Sequence, residues 1–485
     1  MKPANRLFQL FINARLATLL CCSLLVSCGG SGSVTTAGIG GTGISYGAVS
    51  GFGSIILNGS ELDDSTASVT LDGIPSISGS SNHWDLKEGM VVKVSGDFSG
   101  NSGTATTIEY KDNLEGEVCN APVASDGVRT LRVLGQKVIL DATTYLGNPA
   151  TINSIIAGDI LEVSGLPDDQ ERIHASFVEV KTSATEVEVK GRVSNVIGSS
   201  TFTINALDVD FSSIGIINGV PADGQFVEVK GTFTCGSARD TLVATSIELE
   251  FEGAGDISAN DHNEVEGLIT IALNPPGGPG TFNIGNRQIQ TTSSTRFLPE
   301  GFDSSDLLVL GTKVEAEGTS TGGVLTATKI SFRENVKLES DVNLTTLIGS
   351  SPTFSFELSG LPGVTITTNI DTDFNGVTVT AGGHISVRGI EGPNNTVLAT
   401  RLGSPSGVTD AILQGAADTI SGTRITLLGT TIVTSTTISE FNDVKDSPIT
   451  SATFLGLVKP GTLVKFKGTL SGSTITWDEA ELEDD

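Results

Sequence analysis

Aromatic side chains make up only 5% of this 485-residue chain, with 20 Phe against three Tyr and two Trp. Stacking platforms for sugars or bases are therefore scarce, and Trp84 and Trp477, each near a recurrent strand, are expected to pack in a core or at its rim. Basic residues are short as well: 28 Lys and Arg stand against 56 Asp and Glu, a formal net charge of −28. No Lys/Arg cluster interrupts that balance, which excludes a nucleic-acid partner, because phosphate backbones are held by basic patches that displace counterions. The acidic surplus favours solubility and leaves room for divalent cations. Hardly any segment carries the 3.6-residue apolar period of a long helix.

One apolar run does occur, at the amino terminus. Residues 1–27 hold Lys2, Arg6 and Arg15, no acidic residue, and an apolar stretch from Leu16 to Val26. The stretch is short for a bilayer span of about 20 residues and reads as a cleaved export signal. It ends in Leu25-Val26-Ser27-Cys28, which resembles the bacterial lipoprotein box. The resemblance implies cleavage before Cys28 and acylation of that cysteine, with anchoring to a membrane through two or three chains. Gly29 after Cys28 lacks the Asp that retains such proteins at the inner membrane, so an outer-membrane lipoprotein is expected. Residues 28–43 are rich in Gly, Ser and Thr and read as a flexible tether. Without Lys2, Arg6 and Arg15 the charge becomes −31. With Cys28 committed to lipid, Cys119 and Cys235 remain; export permits a disulfide between them, with two inert thiols as the alternative.

The strongest signal is a phrase that occurs six times: Gly89-Met-Val-Val-Lys-Val-Ser-Gly96, Gly158-Asp-Ile-Leu-Glu-Val-Ser-Gly165, Gly224-Gln-Phe-Val-Glu-Val-Lys-Gly231, Gly311-Thr-Lys-Val-Glu-Ala-Glu-Gly318, Gly382-Gly-His-Ile-Ser-Val-Arg-Gly389 and Gly461-Thr-Leu-Val-Lys-Phe-Lys-Gly468. The closing glycines are 69, 66, 87, 71 and 79 residues apart, a period that suits one small domain per copy. Val92 and Val94, Leu161 and Val163, and their counterparts alternate with Lys93, Glu162, Glu228, Glu315, Ser386 and Lys465. This pattern places one face on a core and the other in water. A turn and a second strand follow, marked by Ala105, Ala175, Ala244, Ala327 and Ala399; the sixth copy departs with Trp477-Asp-Glu-Ala480. An upstream hairpin and a leading strand bring each copy to about five strands.

Five short strands in about 70 residues hide their edges by curling into a barrel. The expected fold is all-β: a tandem array of about six small five-stranded OB-like β-barrel modules at 44–110, 111–181, 186–250, 264–333, 334–402 and 411–485, with an acidic linker at 251–263. A two-sheet sandwich is the alternative, although such domains run nearer 100 residues. The Gly-Phe-Gly-Ser-Ile-Ile-Leu-Asn-Gly stretch at 51–59, the lead-in Leu86-Lys-Glu-Gly89, and the Val-x-Val-x-Gly and Ala-x-x-Ile endings resemble the repeats of domain of unknown function 5666. The likeness extends over 44–485, strongest in the first and fourth copies. It implies tandem structural repeats in a bacterial lipoprotein and carries over no catalytic or binding residue.

Several short motifs invite chemistry. Gly43-Ile-Ser45-Tyr-Gly47 is a literal Gly-x-Ser-x-Gly, but it abuts the tether instead of a strand-to-helix elbow, so a flexible loop is expected. Asp371-Thr-Asp373-Phe-Asn375-Gly376 begins like a calcium loop, yet Gly382 stands where the closing Glu belongs. The linker from Glu250 to Asp261 and the tail from Asp478 to Asp485 read as solvated acidic surface. His83, His174, His262 and His384 fall in four different copies without metal-ligand spacing, and a shared site would need the copies to fold back on one another. No catalytic set, metal site or cofactor is indicated. These residues suggest a non-enzymatic envelope protein with a membrane anchor and an unidentified protein or extracellular ligand as partner. A structural spacer or adhesin stalk, and a hydrolase with a site at a repeat junction, are the alternatives.

Overall fold

In the computed structural model the described residues run from 41 to 483, with breaks at 53, 77–84, 100–101, 126–127, 142, 149–150, 183–185, 215–220, 237–238, 251–261, 299–307, 333–335, 371, 406, 408 and 445–446. The chain is all-β. Among the described residues the one α-helix is Ser451–Leu457, started by the Thr450 side chain accepting from the Thr453 N–H and held by buried Phe454. No helix among them is long and apolar enough to cross a membrane.

Each phrase forms the first strand of a closing hairpin: Val91–Ser99 with Ser102–Tyr110, Ile160–Pro167 with Ile173–Lys181, Phe226–Thr234 with Asp240–Leu249, Lys313–Thr321 with Val324–Phe332, His384–Gly392 with Thr396–Gly403, and Leu463–Ser471 with Thr474–Leu482. The two glycines of the phrase have separate jobs. The opening glycine holds a left-handed turn in all six, with φ between 78° at Gly382 and 92° at Gly158, a conformation that costs glycine nothing. From that turn its N–H donates to the end of a leading strand, as in Gly89 to Val49 at 2.8 Å and Gly311 to Ile269 at 2.9 Å. The closing glycine sits at a β-bulge, where the register slips by one residue. A Cβ there would lie 2.0 Å from the Thr326 carbonyl oxygen at Gly318 and no farther than 2.4 Å from the equivalent oxygen in the other five. The recurrent alanine is the residue facing that glycine, Gly318 opposite Ala327. Trp477 takes the place in the sixth copy, opposite Gly468, and packs against Phe466.

In the fourth copy the leading strand His262–Asn274 pairs with the hairpin Thr281–Ile284/Arg287–Gln290. That hairpin's second strand runs parallel to Val324–Phe332, and Lys313–Thr321 returns to the leading strand. The ring is closed, with Val265, Ala316, Phe282 and Ile330 inside. The first copy closes the same way through Gly41–Gly51, Ile55–Leu57, Ser60–Asp63 and its closing hairpin. In the second and fifth copies one step of the ring is a single bridge, Val118 to Val133 and Val342 to Leu358. In the sixth, Arg424–Leu427 and Thr430–Val433 form a separate three-stranded sheet with Thr419–Ser421.

Order along the chain is not order in space. The leading strand of the first copy pairs in parallel with that of the fourth, Gly43 opposite His262 through Tyr46 opposite Val265. Those of the second and third pair antiparallel, Leu114 opposite Val189, as do those of the fifth and sixth, Leu338 opposite Leu413. One continuous apolar core serves the second and third copies, and another the fifth and sixth.

Two expectations change here. Residues 41–43 belong to a strand and not to the tether, and strand His262–Asn274 begins inside the stretch read as linker. Residues 1–40, with the export signal and Cys28, and residues 251–261 lie outside the described residues.

Candidate functional site

The alternating strands put their second face in water only if nothing covers it. Instead Glu162 is 5% exposed, Glu228 8% and Glu315 0%. The physical reason is the joining of leading strands: a sheet that continues from one barrel into another lays the outside of the first against its neighbour.

Buried carboxylates require partners, and this chain supplies them from several copies. Tyr110 of the first copy donates to Glu162 of the second at 2.7 Å, and Lys181 Nζ lies 2.5 Å from the same carboxylate. Between the second and third copies, Lys190 Nζ stands 2.6 Å from Glu188, 3.2 Å from Asp112 and 3.5 Å from Glu228, and Lys230 reaches Glu188 at 2.6 Å. Burial alone would lower the Lys190 pKa, but Asp112, Glu188 and Glu228 outweigh it and hold the ammonium well above the ordinary lysine range. Asp112 is driven up by burial despite Lys190.

One cleft among the described residues, about 270 Å³, opens where several copies meet. Glu88 and Asn58 of the first copy, Tyr145 of the second, Lys313 and Glu266 of the fourth, and Glu391 and Asp418 of the last two line it. Lys313 and Glu266 are paired at 2.9 Å. Burial, then the charges of Asp418 and Glu88, push the Glu391 carboxyl up to about 8. Glu88 is raised by burial and by Asp418, and Asp418 by burial against the pull of the Gly429 and Leu428 amides. Burial raises the Tyr145 phenol too. Carboxyls with displaced titrations gathered in a cleft mark a candidate site for proton-transfer chemistry. No sequence signal joined Glu88, Glu391 and Asp418, which are spread over 330 residues of chain.

The motifs read from the sequence fall elsewhere. Ser45 is buried within Gly41–Gly51, where its Oγ accepts from Asn58 Nδ2 at 2.9 Å; it lies on a strand and not in a loop. Asp373 accepts from the Asn375 amide at 2.8 Å and faces Arg401 at 3.4 Å in an ordinary turn, while Asp371 lies outside the described residues. His174 meets Asp168 at 3.1 Å and His384 meets Asp341 at 2.8 Å, in separate carboxylate sets. His83 and Trp84 lie outside the described residues. Cys119 and Cys235 are joined by a disulfide with Cα atoms 5.4 Å apart, tying the second copy to the third.

No curated protein matches the chain. The family model for a domain of unknown function (DUF5666) matches residues 117–179, 190–248 and 253–331. These regions are the second, third and fourth copies, the last reaching back into the stretch read as linker; of the two copies expected to be most similar, the fourth is matched and the first lies outside. Residues 117–331 thus hold three tandem regions that match the DUF5666 family model.

Proposed function

We propose that this chain is a non-enzymatic, lipid-anchored bacterial envelope protein whose joined β-barrels present a binding or scaffolding surface. The observation that carries the reading is the pairing of leading strands between copies one and four, two and three, and five and six. Main-chain pairing fixes barrels to one another far more firmly than linkers do, which suits a scaffold and disfavours a string of independent spacer units. Cys28 at the lipoprotein box supplies the anchor. Replacing Cys28 with Ser releases the protein from membranes while leaving its strand-rich circular dichroism unchanged; continued membrane association of C28S would refute the anchor. Protease added to intact cells, with lysed cells as control, then separates a surface partner from a periplasmic one.

A hydrolase with its site at a barrel junction is the second reading. Glu391, raised to about 8 beside Glu88 and Asp418, is the observation in its favour. Turnover of glycoside or ester substrates that is abolished by Glu391→Gln would replace the scaffold reading with this one.

A further inference from the structure

The outer face of the fourth copy is wholly acidic where its counterpart in the third balances two acids with two bases. Gly191 pairs with Val227 in the third copy as Gly267 pairs with Val314 in the fourth, so Glu188, Lys190, Glu228 and Lys230 correspond to Glu264, Glu266, Glu315 and Glu317. Both lysines have become glutamate. Across all six phrases the residue before the closing glycine is Ser95, Ser164, Lys230, Glu317, Arg388 or Lys467, and only the fourth copy is acidic there.

Glu264 stands directly opposite Glu317, and Glu266 opposite Glu315, on neighbouring antiparallel strands. The two-residue period of a strand puts all four on one face. Like charges so placed repel, and burial strengthens the repulsion. Glu264 is 3% exposed and Glu317 2%. One carboxylate oxygen from each of Glu264, Glu315 and Glu317 lies within 4.8 Å of the other two. Lys329 touches Glu317 at 3.0 Å and Lys313 is engaged with Glu266.

An independent feature points into this cluster. His262, two residues before Glu264 and therefore on the same face, is buried, with the Phe98 ring of the first copy 5.3 Å from its own. Its Nε2 lies 3.1 Å from Glu264 Oε1. Its Nδ1 has no hydrogen-bond partner among the described residues and lies 3.9 Å from Glu317 Oε1. That distance is too long for a hydrogen bond, yet it is the span of two ligands that each stand about 2.0–2.2 Å from one metal ion. Glu264 Oε2 likewise has no hydrogen-bond partner.

We propose that His262, Glu264, Glu315 and Glu317 form a divalent-cation site at the junction of the first and fourth copies. One imidazole nitrogen with three carboxylates selects a first-row ion such as Zn²⁺ or Mn²⁺ over Ca²⁺, which takes six to eight oxygens. Because His262 also pairs with Gly43 where the two leading strands meet, the cation fastens two barrels that are distant in the chain. The role is structural and depends on neither reading of the cleft.

The test uses the full chain in detergent, stripped with a chelator and titrated calorimetrically with ZnCl₂, MnCl₂ or CaCl₂. The expected result is one equivalent of Zn²⁺ or Mn²⁺ bound at least tenfold tighter than Ca²⁺, with a saturable rise in melting temperature. Glu315→Gln and His262→Gln each weaken that binding at least tenfold, whereas Asp373→Asn leaves it unchanged. X-ray absorption of the loaded wild-type protein keeps the test independent of variants that do not fold, with a mixed shell of imidazole nitrogen and oxygen expected. Absence of saturable binding, binding that E315Q leaves intact, or an all-oxygen shell would overturn the proposal.

Discussion

Asp168 accepts backbone hydrogen bonds from Gln170 and Arg172, both at 2.9 Å, and side-chain contacts from Arg172 Nε at 2.6 Å and His174 at 3.1 Å. Burial alone would raise its pKa, but these donors from His174, Arg172 and Gln170 outweigh it and bring it down to about 2. A carboxyl depressed by folding contributes stability that is present above its unfolded value near 3.8 and is lost as pH falls through about 2. Asp168→Asn is expected to cost about 2 kcal/mol at neutral pH, with the gap to wild type closing at low pH in urea titrations. Glu391 has the opposite sign. Its folded pKa of about 8 stands above the ordinary 4.5, so the folded state keeps a proton that the unfolded chain releases, and its stabilising effect, complete below 4.5, is lost as pH rises through 8. Glu391→Gln flattens the decline in melting temperature between pH 4.5 and 8; an unchanged slope would show that this carboxyl titrates normally. The Asp168 turn is partly visible in Asp168-Asp-Gln-Glu-Arg172, whereas nothing local marks Glu391, because its neighbours come from other copies.

At the scale of the element, the spacing of the phrase was fully legible and its physical cause was not. Two glycines with six residues between them could both have been turn residues. The structure separates them into a left-handed turn and a bulge where a partner carbonyl leaves no room for a Cβ. Gly318→Ala therefore destabilises by about 1–3 kcal/mol through overpacking against the Thr326 carbonyl. Gly456 provides the contrast: it lies exposed in Ser451–Leu457 with open space around it, and Gly456→Ala is expected to stabilise by about 0.5–1 kcal/mol. Equal effects of the two substitutions in denaturant melts would refute the bulge argument. The alternation of each strand also sorted core from non-core correctly, as Val92, Val163, Val229 and Phe466 are buried, but it misassigned Glu162, Glu228 and Glu315 as solvated, whereas Lys93, Ser386 and Lys465 on the same face of their strands stay partly exposed.

For the whole molecule, the decisive contacts are long in sequence. The Cys119–Cys235 bond closes 116 residues of chain, and removing it by the double change to Ser is expected to cost about 2–5 kcal/mol, because a loop of that length restricts the unfolded chain strongly. Urea midpoints of wild type and C119S/C235S measure the loss; coincident midpoints would show that the joined core of the second and third copies suffices without it. That core contains Leu114, Val118, Val189 and Val229 together, so each copy draws on its neighbour for burial that about 70 residues do not supply alone.

The sequence by itself determined the strands, the turns, the all-β class and the recurrence of one unit, because each of these depends on glycine, alternation and spacing within a few residues. Only the tertiary structure decided which copies share sheets, which charged faces are buried, and that Glu264, Glu315 and Glu317 converge with His262 against Glu264 and Glu317. Those outcomes depend on backbone edges meeting across as many as 219 residues of chain, and an edge carries no local mark of the strand that will complete it.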